Sequence, residues 1–256
     1  MGCDIHGFCE VKENGVWKVN TEKVFKNGYY LSDEELEERR KVRPDYTRSD
    51  WQENEFDEHP DTGRSYDWFA ILADVRNGRG FAGIKTGDGF DVIVEPRGVP
   101  EDATPEWNEE VEQWEIDMHS HSYLYPEDFD NFDWSQTTQK QGLISLEQYK
   151  ELKGTGKCPE TWSGGVSGAN IVTVDTDDAN EILNGQTVVV ENRNWVGEVE
   201  NVNLINLESE KEIYVVYEWD VLYSEWFDHK IKGIVEPLRK LKEKYEDVRY
   251  VFGFDN

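Results

Sequence analysis

The sequence predicts an α+β fold. One domain over residues 1–256 would hold a mostly antiparallel sheet with helices packed on one face. Three observations predict it. Strand-like alternation marks the N-terminal segment and the C-terminal strand. Helix-period apolar stripes mark 65–77 and about 225–245. Internal repeats and linkers are absent, while ten Trp and 13% aromatic residues supply material for a packed core.

The elements follow in order. Cys3, Ile5, Gly7, Cys9 and Val11 share one parity, and Asp4, His6, Phe8 and Glu10 the other. That is a strand with one apolar face. Residues 3–12 and 16–20 read as a hairpin, because Asn14-Gly15 supplies the positive φ of a tight turn. Ser32 with Glu35 three residues on forms a capping box for a short helix. Residues 45–64 read as a solvated loop. In 65–77, Trp68, Ile71, Leu72 and Val75 form the stripe, with Gly78 as C-terminal cap. Six glycines within 78–98 imply a loop of tight turns.

Pro105 after Thr104 starts another helix. Residues 143–153 form the next, and 153–169 a glycine-rich loop, so the stretch at about 98–169 is acidic and loop-rich. Strands follow at 186–191 and 195–200. The strand at 213–219 is apolar on both faces, which places it centrally in the sheet. It should share that sheet with the N-terminal hairpin and the C-terminal strand. Pro237 should kink the long helix. The closing strand carries Val248, Tyr250, Phe252 and Phe254 on one face.

Composition limits the function. There are 55 acids against 27 Lys and Arg, a net charge of −28. Phosphate backbones are repelled by such a surface, so direct nucleic-acid binding is not expected. Solubility, cation binding and mimicry of nucleic acid toward a basic partner remain. The segment Gly98 to Gln139, with twelve acids and no Lys or Arg, is the candidate for mimicry. Cys3, Cys9 and Cys158 include no CxxC pair. Cys3 and Cys9, six residues apart on an extended strand, are too far apart to bridge at about 3.3 Å per residue. Free thiols suit a reducing, cytoplasmic setting. No apolar run reaches the ~18 residues of a membrane span. The N-terminus lacks the layout of a secretory signal. His6 replaces the Ser or Thr of a myristoylation site. Removal of Met1 would leave a glycine amine beside Asp4.

Three groups could carry chemistry. Asp4 and His6, with Glu10, lie on one face of the first strand, where they could bind a divalent metal ion or move a proton. The alternative is the polar face of an edge hairpin. His119 and His121 form the second group, and on a strand they would share a face. Arg76, Arg79 and Arg97, around the glycine-rich loop, are scarce cations suited to phosphate. His59, beside Asp57 and Glu58, reads as solvated, and His229 as a surface or cap residue.

Cys3-Asp4-Ile5-His6-Gly7 is similar to the opening of calcineurin-like phosphoesterases, but their later motifs are missing. It is also similar to the Asp-x-His-x-His opening of amidohydrolase-type barrels, with Phe8 in place of the second His. A fuller match lies elsewhere. Gly2-Cys3-Asp4-Ile5-His6, the run Tyr66 to Gly78, Gly80-Phe81-Ala82-Gly83, Thr86-Gly87-Asp88-Gly89-Phe90, Glu95-Pro96-Arg97-Gly98, His119-Ser120-His121-Ser122 and Phe254-Asp255-Asn256 resemble a family of bacteriophage and prophage proteins. Those proteins begin Met-Gly-Cys-Asp-Ile-His. This chain departs from them at Asp91-Val92-Ile93-Val94 and in a longer acidic middle.

The resemblance implies a phage protein in the cytoplasm of an infected bacterium and singles out both histidine clusters. With the residues, it leads to one expectation. Asp4, His6, His119 and His121 would converge as catalytic groups or metal ligands, with Arg76, Arg79 and Arg97 on phosphate. The activity would be hydrolysis of a small nucleotide by a metal- or histidine-dependent phosphodiesterase, the substrate being a host-defence signal. The rivals are a non-catalytic protein that sequesters such a nucleotide, and the acidic mimic.

Overall fold

In a computed structural model, residues 2–193 and 196–255 are described. Met1, Trp195 at the head of the expected 195–200 strand, and Asn256 of the closing motif lie outside them. In chain order the strands are β1 (Asp4–Glu13), β2 (Val16–Val19), β3 (Phe25–Lys26), β4 (Phe56–Asp57), β5 (His119–Leu124), β6 (Thr137–Ser145), β7 (Ile171–Val174), β8 (Val188–Arg193), β9 (Val199–Ile205), β10 (Glu212–Leu222) and β11 (Asp247–Asp255). The helices are α1 (Asp33–Val42), α2 (Tyr66–Ala73), α3 (Pro105–Trp114), α4 (Pro126–Asn131), α5 (Leu146–Leu152), α6 (Thr176–Leu183), α7 (Tyr223–Trp226), α8 (Asp228–Lys230) and α9 (Glu236–Lys242). The fold is α+β with mostly antiparallel pairing.

The chain forms two compact units. The first comprises Met1–Asn77, Phe90–Trp134 and Ser224–Asn256. Its sheet has the order β2-β1-β11-β5. Asn14 and Gly15, with φ of 52° and 76°, close the β1–β2 hairpin as the Asn-Gly pair requires. Ile5, Gly7, Cys9 and Val11 pair with Phe254, Phe252, Tyr250 and Val248, so these side chains share one face. Gly7 is needed there, because a Cβ would meet the Tyr250 ring 2.7 Å away. The Phe69 ring of α2 packs 5.1 Å from Phe254 on this face. Phe227, ahead of α8, joins Trp68 of α2, and α9 packs on β11. Across the other face lies α3, with Trp107 set 5.6 Å from Phe8. The polar parity of β1 is therefore covered rather than open.

Two expected details change. The helix at 66 ends at Ala73, with Asp74 in the left-handed region at φ 59° in place of the expected Gly78 cap. Asn77 holds this turn: its amide donates to Asp74 and to the Phe90 carbonyl, and its oxygen accepts the Phe90 N–H. The loop at 45–64 is not simply solvated. β4 pairs with β3, and Gln52 and Thr62 are buried.

Pro237 acts as expected. It lacks an N–H and clashes with a carbonyl four residues back, so the chain over Ile231–Val235 widens into a π turn before α9 begins.

The second unit comprises Gly78–Gly89 and Ser135–Tyr223. Its three-stranded sheet has the order β6-β10-β7, beside a β8–β9 ribbon. The strand at 213–219 is central, as its two apolar faces require. It belongs to this sheet, however, and not to that of the N-terminal hairpin. Two-sided hydrophobicity specifies a central strand but does not name its neighbours.

Candidate functional site

β1 places Asp4, His6, Phe8 and Glu10 in a row, paired with Asp255, Gly253, Val251 and Arg249 of β11. These groups have separate surroundings. The Asp4 carboxylate is gripped by Arg64, whose Nε donates to Oδ1 at 2.7 Å and whose Nη2 donates to Oδ2. This guanidinium holds the Asp4 carboxyl below the usual carboxylate range. The Asp4 N–H donates to Asp255 Oδ1 at 2.8 Å.

His6 lies between two carboxylates. Its Nε2 is 3.4 Å from Asp255 Oδ2, and its Nδ1 is 3.2 Å from Glu110 Oε1 of α3. The Trp114 ring leans against it, with centroids 4.4 Å apart. A half-buried imidazole oriented by a carboxylate is the arrangement that general acid–base chemistry requires. The second carboxylate occupies the nitrogen that would exchange a proton with substrate, so the Glu110 side chain must swing away for that nitrogen to be reached.

Glu10 is structural. It is fully buried and accepts Arg249 Nε at 2.6 Å and the Thr104 N–H and hydroxyl at 2.9 and 2.6 Å. Its oxygens are occupied, and no substrate atom can approach them.

The two clustered histidines do not share a face. Ser120 sits at φ 50° in a bulge where the β5–β11 register shifts. His119 pairs with Phe254 and lies 6.3 Å from its ring. Its Nδ1 is 3.0 Å from Ser120 Oγ. His121 lies on the other side, where a Cβ at Gly253 would approach its ring to 3.0 Å. Because Gly253 pairs with His6, His6 and His121 flank this glycine on one face. Burial, then the charge of His119, lowers the His121 pKa. Its Nε2 is buried without a hydrogen-bond partner.

Two of the three arginines are engaged by neighbouring groups. Arg97 makes a two-pronged ion pair with Asp128, at 2.6 and 2.7 Å, and donates to the Tyr123 carbonyl. Arg76 lies over the Tyr66 ring at 5.6 Å and hydrogen-bonds the Cys3 thiol, whose pKa burial nonetheless raises. Arg79 is exposed, in the second unit.

Of the expected set, Asp4 and His6 thus meet through Asp255, His121 stands beyond Gly253, and His119 is turned away. Among the described residues, no group of three or more His, Cys, Asp or Glu side chains is placed to hold a metal ion.

Several contributors escaped the sequence analysis. Asp255 had a signal in the closing Phe254-Asp255-Asn256 motif, but only the β1–β11 pairing brings it to His6. Glu110, Arg64 and Arg249 had none, since only folding brings them to β1. His59 is half-buried rather than solvated. Its Nδ1 accepts the Cys9 N–H at 3.3 Å, its ring stacks on Phe8, and burial lowers its pKa. His229 is exposed, as expected.

Beside Asp4 a cleft of about 410 Å³ opens between β1 and the 60–64 loop. Tyr29, Asp61, Thr62 and Arg64 form its walls. No family model, curated protein or solved structure matches this chain.

Proposed function

We propose that this chain is a hydrolase in which His6 transfers the proton, and that its substrate is a small phosphorylated nucleotide met in a phage-infected bacterium. The observation that carries the proposal is the half-buried His6 imidazole with Asp255 and Glu110 on its two nitrogens. Asp255 orients the ring and balances the charge that forms on it, as a carboxylate does for a catalytic histidine. Release of Glu110 frees Nδ1 to take a proton from water or return one to a leaving oxygen. The phosphate part rests on Arg64, a half-exposed guanidinium that pairs with Asp4 two residues before His6 on β1 and would exchange that partner for phosphate. The phage setting rests on the resemblance carried by the stretches from Gly2-Cys3-Asp4-Ile5-His6 to Phe254-Asp255-Asn256.

The test is hydrolysis of cyclic dinucleotides and ADP-ribose derivatives by purified protein, with and without divalent metal ions. Cleavage that falls by about 10²–10⁴-fold in His6→Gln, the usual contribution of a general acid–base group, supports the proposal. Full turnover in His6→Gln overturns it.

One observation favours a second reading. Tyr29 and Trp51 are both more than half exposed and meet edge to face at 5.3 Å. Tyr29 also lines the cleft. Such aromatic surfaces stack nucleobases. A nucleotide recovered intact after heat release, with no turnover, would support sequestration instead.

A further inference from the structure

We propose that the open edge of β1 is a docking groove for a short, basic peptide in extended conformation. The argument starts from which way the backbone points. In an antiparallel strand, successive residues direct their N–H and C=O groups to opposite edges. The Lys12 carbonyl accepts the Glu246 N–H on the β11 side. On the other side, the Cys9 carbonyl accepts the Asn20 N–H, and the Cys9 N–H donates to His59. Ile5 and Gly7 have the parity of Cys9, so their main-chain groups point away from β11. β2 reaches only as far as Glu10. Among the described residues, no backbone pairs with Ile5 or Gly7 on that side. Both instead line the 410 Å³ cleft.

An exposed strand edge is a hazard that folds normally cover. Here it is covered at its two ends only. The 59–64 loop closes one end with His59 on the Cys9 N–H and the other with Arg64 on Asp4. Between these clamps the edge runs from Ile5 to Gly7, about 7 Å at the rise of a strand. That span offers two donors and two acceptors at the spacing of a second strand. An extended peptide is the ligand whose own backbone matches this pattern, the recognition mode called β-augmentation. The clamps leave no length for sheet-to-sheet pairing with a second copy, and two chains of charge −28 repel each other.

Charge chooses the side chains. Asp61 lines the cleft, with Oδ1 accepting the Gly63 N–H at 2.9 Å and Oδ2 meeting no hydrogen-bond donor among the described residues. Lys230, which donates to the Thr62 carbonyl, offsets part of this charge. Arg64, also on the wall, is neutralised by Asp4, so the net charge of −28 sets the sign and favours a cationic peptide over an acidic one. Tyr29, half exposed on the wall, can cover the aliphatic stem of a lysine.

The test needs no turnover and is independent of the hydrolase proposal. The full chain is titrated with acetyl-Lys-Val-Lys-Val-Lys-amide, followed by calorimetry and by the Ile5 and Gly7 amide signals in NMR. Binding is expected, with both amides shifting downfield. A version of the peptide N-methylated on alternate amides, unable to pair on one edge, should bind about tenfold more weakly. The Glu counterpart should not bind. Ile5→Pro removes one outward N–H at an edge where proline is tolerated and should weaken binding comparably, with circular dichroism confirming the fold. The inference is overturned if Ile5 and Gly7 amides stay unmoved at saturation, if the N-methylated peptide binds equally well, or if sedimentation shows the chain paired with itself through this edge.

Discussion

Glu10 shows how burial decides what a carboxylate does. Arg249, 1% exposed, donates to it and to Asp102, while its guanidinium lies 4.0 Å from the Trp17 ring centroid. A charge at this depth persists only when fully paired, so Glu10 joins β1, β11 and the loop before α3 and takes no part in proton traffic. His6, two positions along the same face beyond Phe8, keeps partial access and remains the chemical candidate. Sequence parity groups the two residues correctly, but it does not show which is paired. Two other histidines carry a pH signature. Burial is the leading cause that lowers the pKa of His59 and of His121 below the ordinary value. Below about pH 6.5 the unfolded chain then binds more protons than the folded one, so stability present above that pH is lost as pH falls. The urea midpoint should fall between pH 7.5 and 5.5, and fall less in His59→Gln, which keeps an acceptor for the Cys9 N–H. Asp57, whose carboxyl burial raises, acts in the opposite sense nearer the carboxylate range. A midpoint flat across the histidine window would contradict this account.

α3 illustrates an element whose start is local and whose place is not. Thr104 caps it, accepting the Trp107 N–H at 3.3 Å, and Pro105 fills the first turn. The Thr-Pro signal therefore places the helix correctly. Its docking over β1 depends on the buried Trp107, on Phe8, and on the second bond that Thr104 makes, to Glu10. Thr104→Ala should accordingly cost more than an ordinary cap. The lost cap is about 1 kcal/mol, and stripping a donor from a buried carboxylate adds about 1–3 kcal/mol. Ser32→Ala, which removes the cap of α1 on the surface, should cost only about 1 kcal/mol. Urea unfolding of the two variants checks this, and equal costs would remove the proposed coupling of α3 to the sheet. β5 makes the converse point. Period-two reasoning puts His119 and His121 together, and one left-handed residue, Ser120, separates them. A bulge of this kind shifts parity by one and leaves no mark in residue types.

Across the whole molecule, the charge of −28 is partly organised and partly solvated. In the acidic stretch from 98 to 139, Asp102, Glu110, Glu127, Asp128 and Asp130 pair with Arg249, His6, Lys242, Arg97 and Arg239. The remaining excess repels itself. Raising NaCl from 10 to 300 mM shortens the screening length from about 30 Å to about 6 Å. The thermal midpoint should therefore rise by a few degrees, read by calorimetry, and a midpoint that drops would show that attractive surface pairs dominate instead. The sequence by itself determined what depends on neighbours in the chain. The Asn14-Gly15 hairpin, the Ser32 and Thr104 caps, the alternating β1 and β11 strands, the central character of β10 and the interruption before Pro237 all follow from the local steric and hydrogen-bond preferences of a few adjacent residues. Tertiary structure alone decided what depends on residues far apart: the sheet to which β10 belongs, the burial of Glu10 against Arg249, the carboxylates on His6, and the open edge at Ile5 and Gly7. These follow from which surfaces pack together, and packing is set by the whole set of apolar faces at once, with no single segment carrying the information.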